Sequence, residues 1–340
     1  YVKTISNSSI MKLFFISEKI NKNIESKFLA EWVKPFYPYE RLALYGLESY
    51  DIIKNENPND ADIFILPLTW NYYFEMNNIE FALSLIKKYT KFGKPIFTWA
   101  GGDFKLNIPS GDFFLLQNSC YSSKRRHLEY VYPSIIRDPF KYLKIDSIRV
   151  VEKNSYPKIG FCGFADNSWI NGVLNKAKSQ FYRLSYKYNR PYVDLSVPLS
   201  GSSLRRLLIN KIKSSENLDD NFIVRSSYGG QSKSNNQYKL EYWNNMLLSP
   251  YILCVRGAGN FSVRFYESLA MGRIPIFINT DSVLPFDNLI NWEKHCVIIQ
   301  EAEIENLDKI VLEFHNNLTD EKFYNTQYAN RLLWKEMLTF

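Results

Sequence analysis

The sequence alternates short, wholly apolar runs with longer stretches of helical periodicity, and this alternation limits the chain to one class of fold. In the first half, the segment 78–92 repeats its apolar residues at helical spacing. The strand-like runs of this half lie at 12–16, 63–68 and 95–100, with weaker ones at 113–117 and 131–132. Apolar runs of this length, separated by helices, are typical of parallel strands covered on both faces. The sequence therefore predicts an α/β protein.

The alternation starts again after a polar segment at 146–157. The elements predicted beyond it are strands at 158–163, 221–224, 251–255, 274–278 and 296–299, and helices at 171–188, 237–247, 262–271, 301–317 and 319–339. We therefore place one domain at 1–150 and a second at 151–320, followed by a helix at 321–340 that could pack back on the first. Two domains also suit a chain of 340 residues. A cleft between two such domains commonly binds a small ligand.

The charge balance argues against a nucleic-acid partner. Lys and Arg number 42 against 35 Asp and Glu, a net charge of +7, and the longest basic run is only Lys124-Arg125-Arg126. A nucleic-acid-binding protein usually concentrates its basic residues on one face or stretch. A mild positive balance fits anionic small ligands or an anionic membrane face. We expect a small anionic ligand and leave peripheral membrane association open.

The cysteines and the apolar runs bear on the compartment. The four cysteines lie more than thirty residues apart, which excludes a CxxC pair or a zinc knuckle; they are Cys120, Cys162, Cys254 and Cys296. Three of them fall in strand-like runs, so we expect buried, reduced thiols and a cytoplasmic protein. No run approaches the ~18 apolar residues that cross a bilayer, and the start has no signal-peptide pattern.

The segment 251–292 carries the most informative pattern. It opens with the strand-like run YILCV and continues with a glycine-rich loop at 256–260. A predicted helix then starts at Ser262 and ends with Gly272 as its cap, before the strand at 274–278. A strand, a glycine loop and a helix N-terminus together bind phosphates well, because the first N–H groups of the helix are unpaired and its dipole favours negative charge.

Four side chains of this segment suit a nucleotide diphosphate. Arg256 and Arg264 could clamp the two phosphates, and Ser262 could cap the helix or donate to a phosphate. Glu267 lies one turn beyond Arg264 and could accept hydrogen bonds from ribose hydroxyls. A glycine-rich turn before a helix is also common without a ligand, and Arg264 with Glu267 could form an ordinary surface ion pair. The loop matches neither GxGxxG nor a P-loop, which disfavours a dehydrogenase or a P-loop NTPase.

A series of further elements in this stretch occurs in a fixed order. It comprises a Ser before the strand, a Cys within it, the Arg-Gly loop, Ser-x-Arg-Phe-x-Glu, Ile-Pro, Leu-Pro-Phe and Ile-x-Trp. In these elements the stretch 248–292 resembles the C-terminal signature of the exostosin-like glycosyltransferases. A weaker similarity extends to 61–67 and 158–163. The divergent N-terminal half transfers no information about the acceptor.

The resemblance implies the GT-B architecture, in which two Rossmann-like domains with parallel sheets face each other across a cleft. It implies transfer of a sugar from a nucleotide sugar, usually a UDP-sugar, with inversion at the anomeric carbon and the donor held by the C-terminal domain. The donor-binding candidates of this segment are Arg256, Gly257, Gly259, Asn260, Ser262, Arg264 and Glu267, and the resemblance implies roles for five of them. Of these, Arg256, Gly257, Ser262 and Arg264 would hold the diphosphate, and Glu267 the ribose.

An inverting transfer also needs a base for the acceptor hydroxyl, from the N-terminal side of the cleft. Asp103 is the leading candidate, because it follows the strand at 95–100 in the loop Gly101-Gly102-Asp103, where active-site residues of parallel sheets gather. It could equally be a plain turn aspartate. His127, beside the basic run, is the weaker alternative.

Other polar residues have less certain roles. Arg225, Ser227 and Tyr228 follow the strand at 221–224 and are further donor-binding candidates. Arg205 and Arg206 could reach phosphates or form the wet face of an amphipathic helix.

The tripeptide Asp60-Ala61-Asp62 matches the DxD pattern by which another glycosyltransferase architecture binds a metal. It precedes a strand instead of following one, so we expect no metal and no cofactor besides the donor.

The sequence thus predicts a metal-independent, inverting glycosyltransferase that moves a sugar from a UDP-sugar to a glycan, polysaccharide, lipopolysaccharide or lipid-linked glycan. Its Asn-, Lys- and Ile-rich composition suggests a bacterial or viral source. The alternatives are a GT-B enzyme with another donor, such as a GDP-sugar, or with a retaining mechanism, and an inactive nucleotide- or sugar-binding protein. The retaining mechanism is disfavoured because Glu267 has no second glutamate at 271–275.

Overall fold

Two parallel sheets, each flanked by helices, organise the computed structural model. It describes residues 11–16, 26–36, 52–54, 56–165, 190, 192–194, 201–226 and 235–339. The sheets comprise residues between 11 and 131 and between 158 and 300. The expected α/β fold with two Rossmann-like sheets across a cleft, the GT-B arrangement, is confirmed. The helix predicted at 171–188 lies outside the described residues.

The first sheet has six strands among the described residues, in the order β2-β1-β3-β4-β6-β7. All its neighbouring strands are parallel. The strands are β1 (Met11–Phe15), β2 (Ile52–Lys54), β3 (Ile63–Ile65), β4 (Ile96–Ala100), β6 (Phe114–Gln117) and β7 (Glu129–Val131). A short β5 (Lys105–Leu106) pairs instead with β9 (Val193–Asp194), in antiparallel orientation. No strand is predicted at β2, β5 or β9, because these strands are only two or three residues long.

Two helices accompany the first sheet, α1 (Trp70–Glu75) and α2 (Ile79–Thr90). The period predicted for α2 is observed, since Ala82, Leu85 and Ile86 are buried. Helix α1 was not predicted, because the run WNYYFE is aromatic on most sides and too short to show a period.

The second sheet has five parallel strands in the described residues, in the order β10-β8-β11-β12-β13. They are β8 (Lys158–Phe164), β10 (Asp219–Arg225), β11 (Tyr251–Cys254), β12 (Ile274–Asn279) and β13 (Val297–Gln300). The chain passes from β8 outward to β10 on one side and from β11 to β13 on the other. This reversal makes the carboxyl ends of β8 and β11 a topological switch point, where open α/β sheets bind ligands.

The remaining helices are α3 (Pro139–Leu143), α4 (Gly201–Lys213), α5 (Asn235–Leu247), α6 (Val263–Ala270), α7 (Leu307–Asn316) and α8 (Asp320–Met337). The predicted helix at 301–317 is a 3-10 turn, Glu301–Asn306, followed by α7. In the described part of the chain, none of the helices has both the length and the apolarity that crossing a membrane requires.

Helix α6 ends as its sequence predicts. Gly272 has a φ of +66° in the left-handed region, which a residue with a side chain rarely adopts. The N–H of Gly272 donates to the carbonyl of Leu269 at 2.9 Å, and the N–H of Arg273 donates to the carbonyl of Ser268 at 2.8 Å. These two bonds form a Schellman cap, which directs the chain at once into β12.

A fully buried arginine joins the second sheet to the connection between the halves. Arg273 donates to the carbonyls of Met246 and Arg149 at 2.8 and 2.7 Å and to the amide oxygen of Gln327 on α8 at 3.0 Å. Burial lowers the pKa of Arg273 to about 10. Helix α8 packs on α6 and β12. Arg331 of this helix forms a bidentate salt bridge with Asp138, which lies in the connection between the halves, at 2.6 and 2.9 Å.

We expect Arg273→Met to lower the free energy of unfolding by about 3 kcal/mol or more, because it leaves several buried carbonyls without donors. Urea unfolding followed by circular dichroism measures this change. Arg206→Met, which replaces a half-buried arginine on α4, is the control and should cost less than about 1 kcal/mol. Equal costs for the two variants would contradict the role of Arg273.

Candidate active site

The switch point of the second sheet opens into a chamber of about 820 Å³, which we call the large chamber. The large chamber is lined by the end of β8, the glycine loop, the first turns of α4 and α6, and one residue of the first half. Its lining residues are Asp103, Cys162, Gly163, Phe164, Gly201, Ser202, Arg205, Arg225, Tyr242, Gly257, Ala258, Gly259, Phe261, Ser262, Val263, Arg264 and Glu267. The volume lies in the range of pockets that hold small molecules and cofactors.

The glycine loop that follows β11 is packed backbone against backbone. The N–H of Gly257 donates to the carbonyl of Phe261 at 3.2 Å and closes the loop. A Cβ at Gly201, the first residue of α4, would lie 2.5 Å from the carbonyl oxygen of Arg256. A Cβ at Gly259 would lie 1.5 Å from the carbonyl oxygen of Asp103. Only glycine fits at both positions.

The N-termini of two helices, each the positive end of a helix dipole, point at the large chamber. Helix α4 begins at Gly201, and helix α6 begins directly after Ser262, its N-cap residue. The side chain of Ser262 makes no capping hydrogen bond. The first N–H groups of a helix lack partners within the helix, and its dipole attracts negative charge. The chamber is therefore suited to an anion such as a phosphate.

Arginine side chains increase this positive charge. Arg264 donates to the carbonyl of Cys162 at 2.9 Å and lies over the ring of Phe161, 4.4 Å from its centroid. Arg225 donates to the carbonyl of Tyr238 at 3.0 Å. The Nε atoms of Arg225 and Arg264 are buried and make no hydrogen bond to the described residues. A buried donor without a partner beside a cavity indicates a ligand that would accept its hydrogen bond.

Glu267 lies beside these arginines on the wall of the chamber. The Tyr242 hydroxyl, from α5, donates a hydrogen bond to Glu267 Oε2. Burial raises the pKa of Glu267 above its ordinary value, although Tyr242 and Arg264 act in the opposite direction. Burial also holds the pKa of Tyr242 well above the usual range, so its hydroxyl stays protonated and remains a donor.

Asp103 enters the cleft from the first sheet. The loop after β4 is held by Asn71, whose amide both accepts from the N–H of Gly101 at 2.8 Å and donates to the Gly101 carbonyl at 3.0 Å. The next residue, Gly102, has a φ of +89°, which turns the chain so that the exposed Asp103 lies in the cleft.

A second chamber of about 310 Å³ adjoins the large one, and we call it the small chamber. The two share Asp103, Phe261 and Val263. The other lining residues of the small chamber are Glu31, Lys34, Gly102, Asn118, Tyr132, Pro133, Ser134 and Ile135. Asp103 therefore stands where two ligands could meet.

Some predicted site residues lie elsewhere. Arg256 is buried, is not among the described residues that line either chamber, and donates to the carbonyl of Gly257 at 3.4 Å. Asn260 lines neither chamber, and its buried side chain hydrogen-bonds with Cys120, Thr280 and Ser282. His127 is exposed in the turn before β7 and lines neither chamber. Ser227 and Tyr228 lie outside the described residues. The predicted residues that do line the large chamber are Asp103, Arg225, Gly257, Gly259, Ser262, Arg264 and Glu267.

The two aspartates of the DxD pattern accept hydrogen bonds from neighbouring protein groups. Asp62 Oδ2 accepts from the N–H of Lys12 at 2.8 Å, and Asp60 Oδ2 accepts from the amide of Asn57 at 2.7 Å. Over the described ranges, no group of three His, Cys, Asp or Glu side chains is placed to hold a metal ion.

Three contributors to the site are not predicted from the sequence. Gly201 at the start of α4 follows residues without strand or helix periodicity, although a glycine and two serines before an amphipathic run are a helix-start signal. Tyr242 and Asn71 gave no local signal, because each matters only through a residue distant in sequence.

A buried ionic cluster supports the N-terminal wall of the cleft. Glu129, at the start of β7, is 1% exposed and accepts hydrogen bonds from Lys105 and Gln117. It also accepts from the N–H of Arg126 at 3.0 Å. Burial opposes ionisation of Glu129, but its hydrogen bonds with Lys105 and Arg126 hold its pKa below the ordinary value. The same burial raises the pKa of Cys120, which contacts this carboxylate, to about 12.

The fold and the cleft thus define an α/β protein with two parallel sheets and a chamber at the switch point of the second sheet. Residues 169–314 match the model of the Exostosin GT47 domain. This match confirms the resemblance to the exostosin-like glycosyltransferases.

Known proteins share shorter segments with the chain. A probable glucuronosyltransferase 47 A of Physcomitrium patens is 34% identical over 86 residues, which are 25% of this chain and 19% of that protein. The probable beta-1,4-xylosyltransferase IRX10 of Arabidopsis thaliana is 36% identical over 70 residues, 21% of this chain and 17% of that protein. The chain thus spans less than a fifth of these relatives. Among solved structures, a glycosyltransferase from Rickettsia africae is similar over 98% of this chain and 95% of that one, with 12% identity and a TM-score of 0.35.

We expect Glu129→Gln to lower the free energy of unfolding by about 3 kcal/mol at pH 7, because it leaves the buried Lys105 without its carboxylate. The folded pKa of Glu129 is depressed, so its stabilisation is present above the unfolded pKa of about 4.3 and is lost as the pH falls. The difference in the free energy of unfolding between wild type and variant should therefore shrink below about pH 4. Urea unfolding across pH measures it.

The control for this prediction is Glu305→Gln, which removes an ion pair with Lys211 from a glutamate whose side chain is 85% exposed. It should cost less than about 1 kcal/mol at either pH. A Glu129→Gln cost that does not change with pH would contradict an ionised carboxylate in the folded protein.

Proposed function

We propose that this protein transfers a sugar from a UDP-sugar to a hydroxyl group of a glycan. The observation that carries the proposal is the convergence of Arg225, Arg264 and two helix N-termini on one chamber, which Asp103 also lines. The exostosin GT47 domain and the names of its relatives, glucuronosyl- and xylosyltransferases, support the same reaction class.

In this proposal the large chamber holds the donor. The diphosphate lies at the starts of α4 and α6, where it accepts hydrogen bonds from the glycine loop and from Arg225 and Arg264. Glu267 accepts hydrogen bonds from the ribose, and the Tyr242 hydroxyl orients the carboxylate. The positive groups around the diphosphate stabilise it more strongly as the bond to the sugar breaks, because negative charge then moves onto the leaving phosphate.

The small chamber holds the acceptor. The acceptor hydroxyl oxygen attacks the anomeric carbon from the face opposite the diphosphate, and a new glycosidic C–O bond forms. The bond from that carbon to the diphosphate oxygen breaks, and its electron pair leaves with UDP. The hydroxyl proton passes to the Asp103 carboxylate, which acts as general base. A single in-line displacement of this kind inverts the anomeric configuration.

Two further features belong to the proposal. Arginines and helix N-termini neutralise the diphosphate, so the reaction needs no divalent metal. The four cysteines are buried free thiols, which suits a reducing, cytoplasmic compartment. The acceptor class is a glycan, polysaccharide or lipid-linked glycan, with the enzyme soluble or peripheral on a membrane.

We expect Arg264→Gln to weaken UDP binding by about 2 kcal/mol, roughly thirtyfold, because a charge-assisted contact is lost. Calorimetry in EDTA with UDP, GDP and CMP measures it, and wild type should bind UDP most tightly without metal. Arg206→Gln, on α4 but outside the large chamber, is the control and should bind UDP like wild type. Equal affinity in both variants would remove Arg264 from the site, and selective binding of GDP would change the donor.

We expect Asp103→Asn to reduce UDP release from UDP-sugars by a factor of about 10² to 10⁴ while UDP affinity stays within twofold, because the base is lost and the donor site remains. A panel of UDP-sugars, with water or glycan as acceptor, provides the assay. Asp112→Asn replaces an exposed aspartate outside both chambers and should act like wild type. A wild-type rate in Asp103→Asn would overturn the base assignment, and UDP binding without turnover by wild type would indicate a binding protein.

A further inference from the structure

Asn260 links the glycine loop to the first half of the molecule by hydrogen bonds. Its side chain is 1% exposed. The backbone N–H of Asn260 donates to Ser119 Oγ at 3.0 Å, and its Nδ2 donates to the carbonyl of Cys120 at 3.4 Å. Both partners lie in the loop between β6 and β7, on the first sheet, and both are 1% exposed.

The other end of the same amide is held within the second half. Asn260 Oδ1 accepts from Thr280 Oγ1 at 2.7 Å and from Ser282 Oγ at 3.0 Å. These donors fix the orientation of the amide, because hydroxyl groups face its oxygen and a carbonyl faces its nitrogen. Asn260 therefore joins three loops through buried hydrogen bonds, and it lines neither chamber.

A neighbouring contact reinforces this junction. Asp281, with a φ of +64°, accepts at its carbonyl from the N–H of Ser122 at 2.8 Å. Its carboxylate accepts from the N–H of Ser123 at 3.0 Å and from the Ser123 hydroxyl. We call Asn260, Asp281 and their partners at 119–123 the inter-domain clasp. The ion pair of Arg125 with Asp287, close by, is partly exposed.

The clasp lies one residue from the point where the two halves touch at the cleft. Gly259 packs against the carbonyl of Asp103, and Asn260 follows it directly. A shift of Asn260 would thus move the second half, with its donor site intact, relative to the loop of Asp103. We propose that Asn260 is a positioning residue, which aligns the large chamber with Asp103 across the cleft. The inference rests on the proposed function for its effect on turnover, but the alignment itself is a property of the fold.

The sharpest variant is Asn260→Asp. It keeps an oxygen for Thr280 and Ser282 but turns the donor that faces the Cys120 carbonyl into an acceptor. The matched control is Asp287→Asn, the reverse exchange in the partly exposed contact between the halves, where a small effect is expected.

We expect Asn260→Asp to lower kcat for UDP release at least tenfold, with KM for the UDP-sugar and calorimetric UDP affinity within threefold of wild type. Asp287→Asn should keep all three values within threefold. The double variant Asn260→Asp/Asp103→Asn should be no slower than Asp103→Asn alone, because Asn260 acts through the placement of Asp103. A wild-type kcat in Asn260→Asp, or multiplicative losses in the double variant, would overturn the proposal.

A measurement without turnover separates this proposal from the proposed function. Small-angle X-ray scattering should show a larger radius of gyration for Asn260→Asp than for wild type and Asp287→Asn, as the halves separate. If wild type releases no UDP but this difference is present, the proposed function fails and the aligning role stands. If the scattering curves coincide, Asn260 does not align the halves, whatever the activity.

Discussion

The two halves of this protein meet where backbone packs directly on backbone. Gly259 of the second half contacts the carbonyl of Asp103 of the first, and within the second half Gly201 contacts the carbonyl of Arg256, both at distances that leave no room for a Cβ. These approaches bring the N-termini of α4 and α6 to one place beside the glycine loop. The anion site, the position of Asp103 and the inter-domain clasp all depend on this close packing, because any side chain there would push the elements apart.

Charge at the cleft is organised by fixed hydrogen-bond acceptors. Backbone carbonyls and aromatic rings hold the guanidinium groups of Arg225 and Arg264 while an Nε of each remains unused. Placing these side chains before a ligand arrives means that binding need not immobilise them, which favours affinity. On the opposite wall, Glu129 and Lys105 neutralise each other in the interior, so that the N-terminal side of the cleft is held without exposing its charges.

The longer strands and helices were predictable because their signals are local. A run such as YILCV is apolar at each position since β11 is buried on both faces, and the period of α2 follows from its single buried face. Observed limits differ from the predicted ones by one or two residues at most of these elements. Strand β2 and helix α1 escaped prediction because three and six residues are too few to establish a period.

By itself the sequence determined the α/β class, the glycine-rich loop at 256–260 and the family resemblance, because each depends on the order of residues along a short segment. Only the tertiary structure decided which polar residues share a chamber. Asp103 and Gly259 are far apart in sequence yet in contact, whereas Asn260, next to Gly259, faces away from the chamber into the clasp. Parallel sheets bring the carboxyl ends of distant strands together, and the packing of two such sheets fixes which side chains face the ligand.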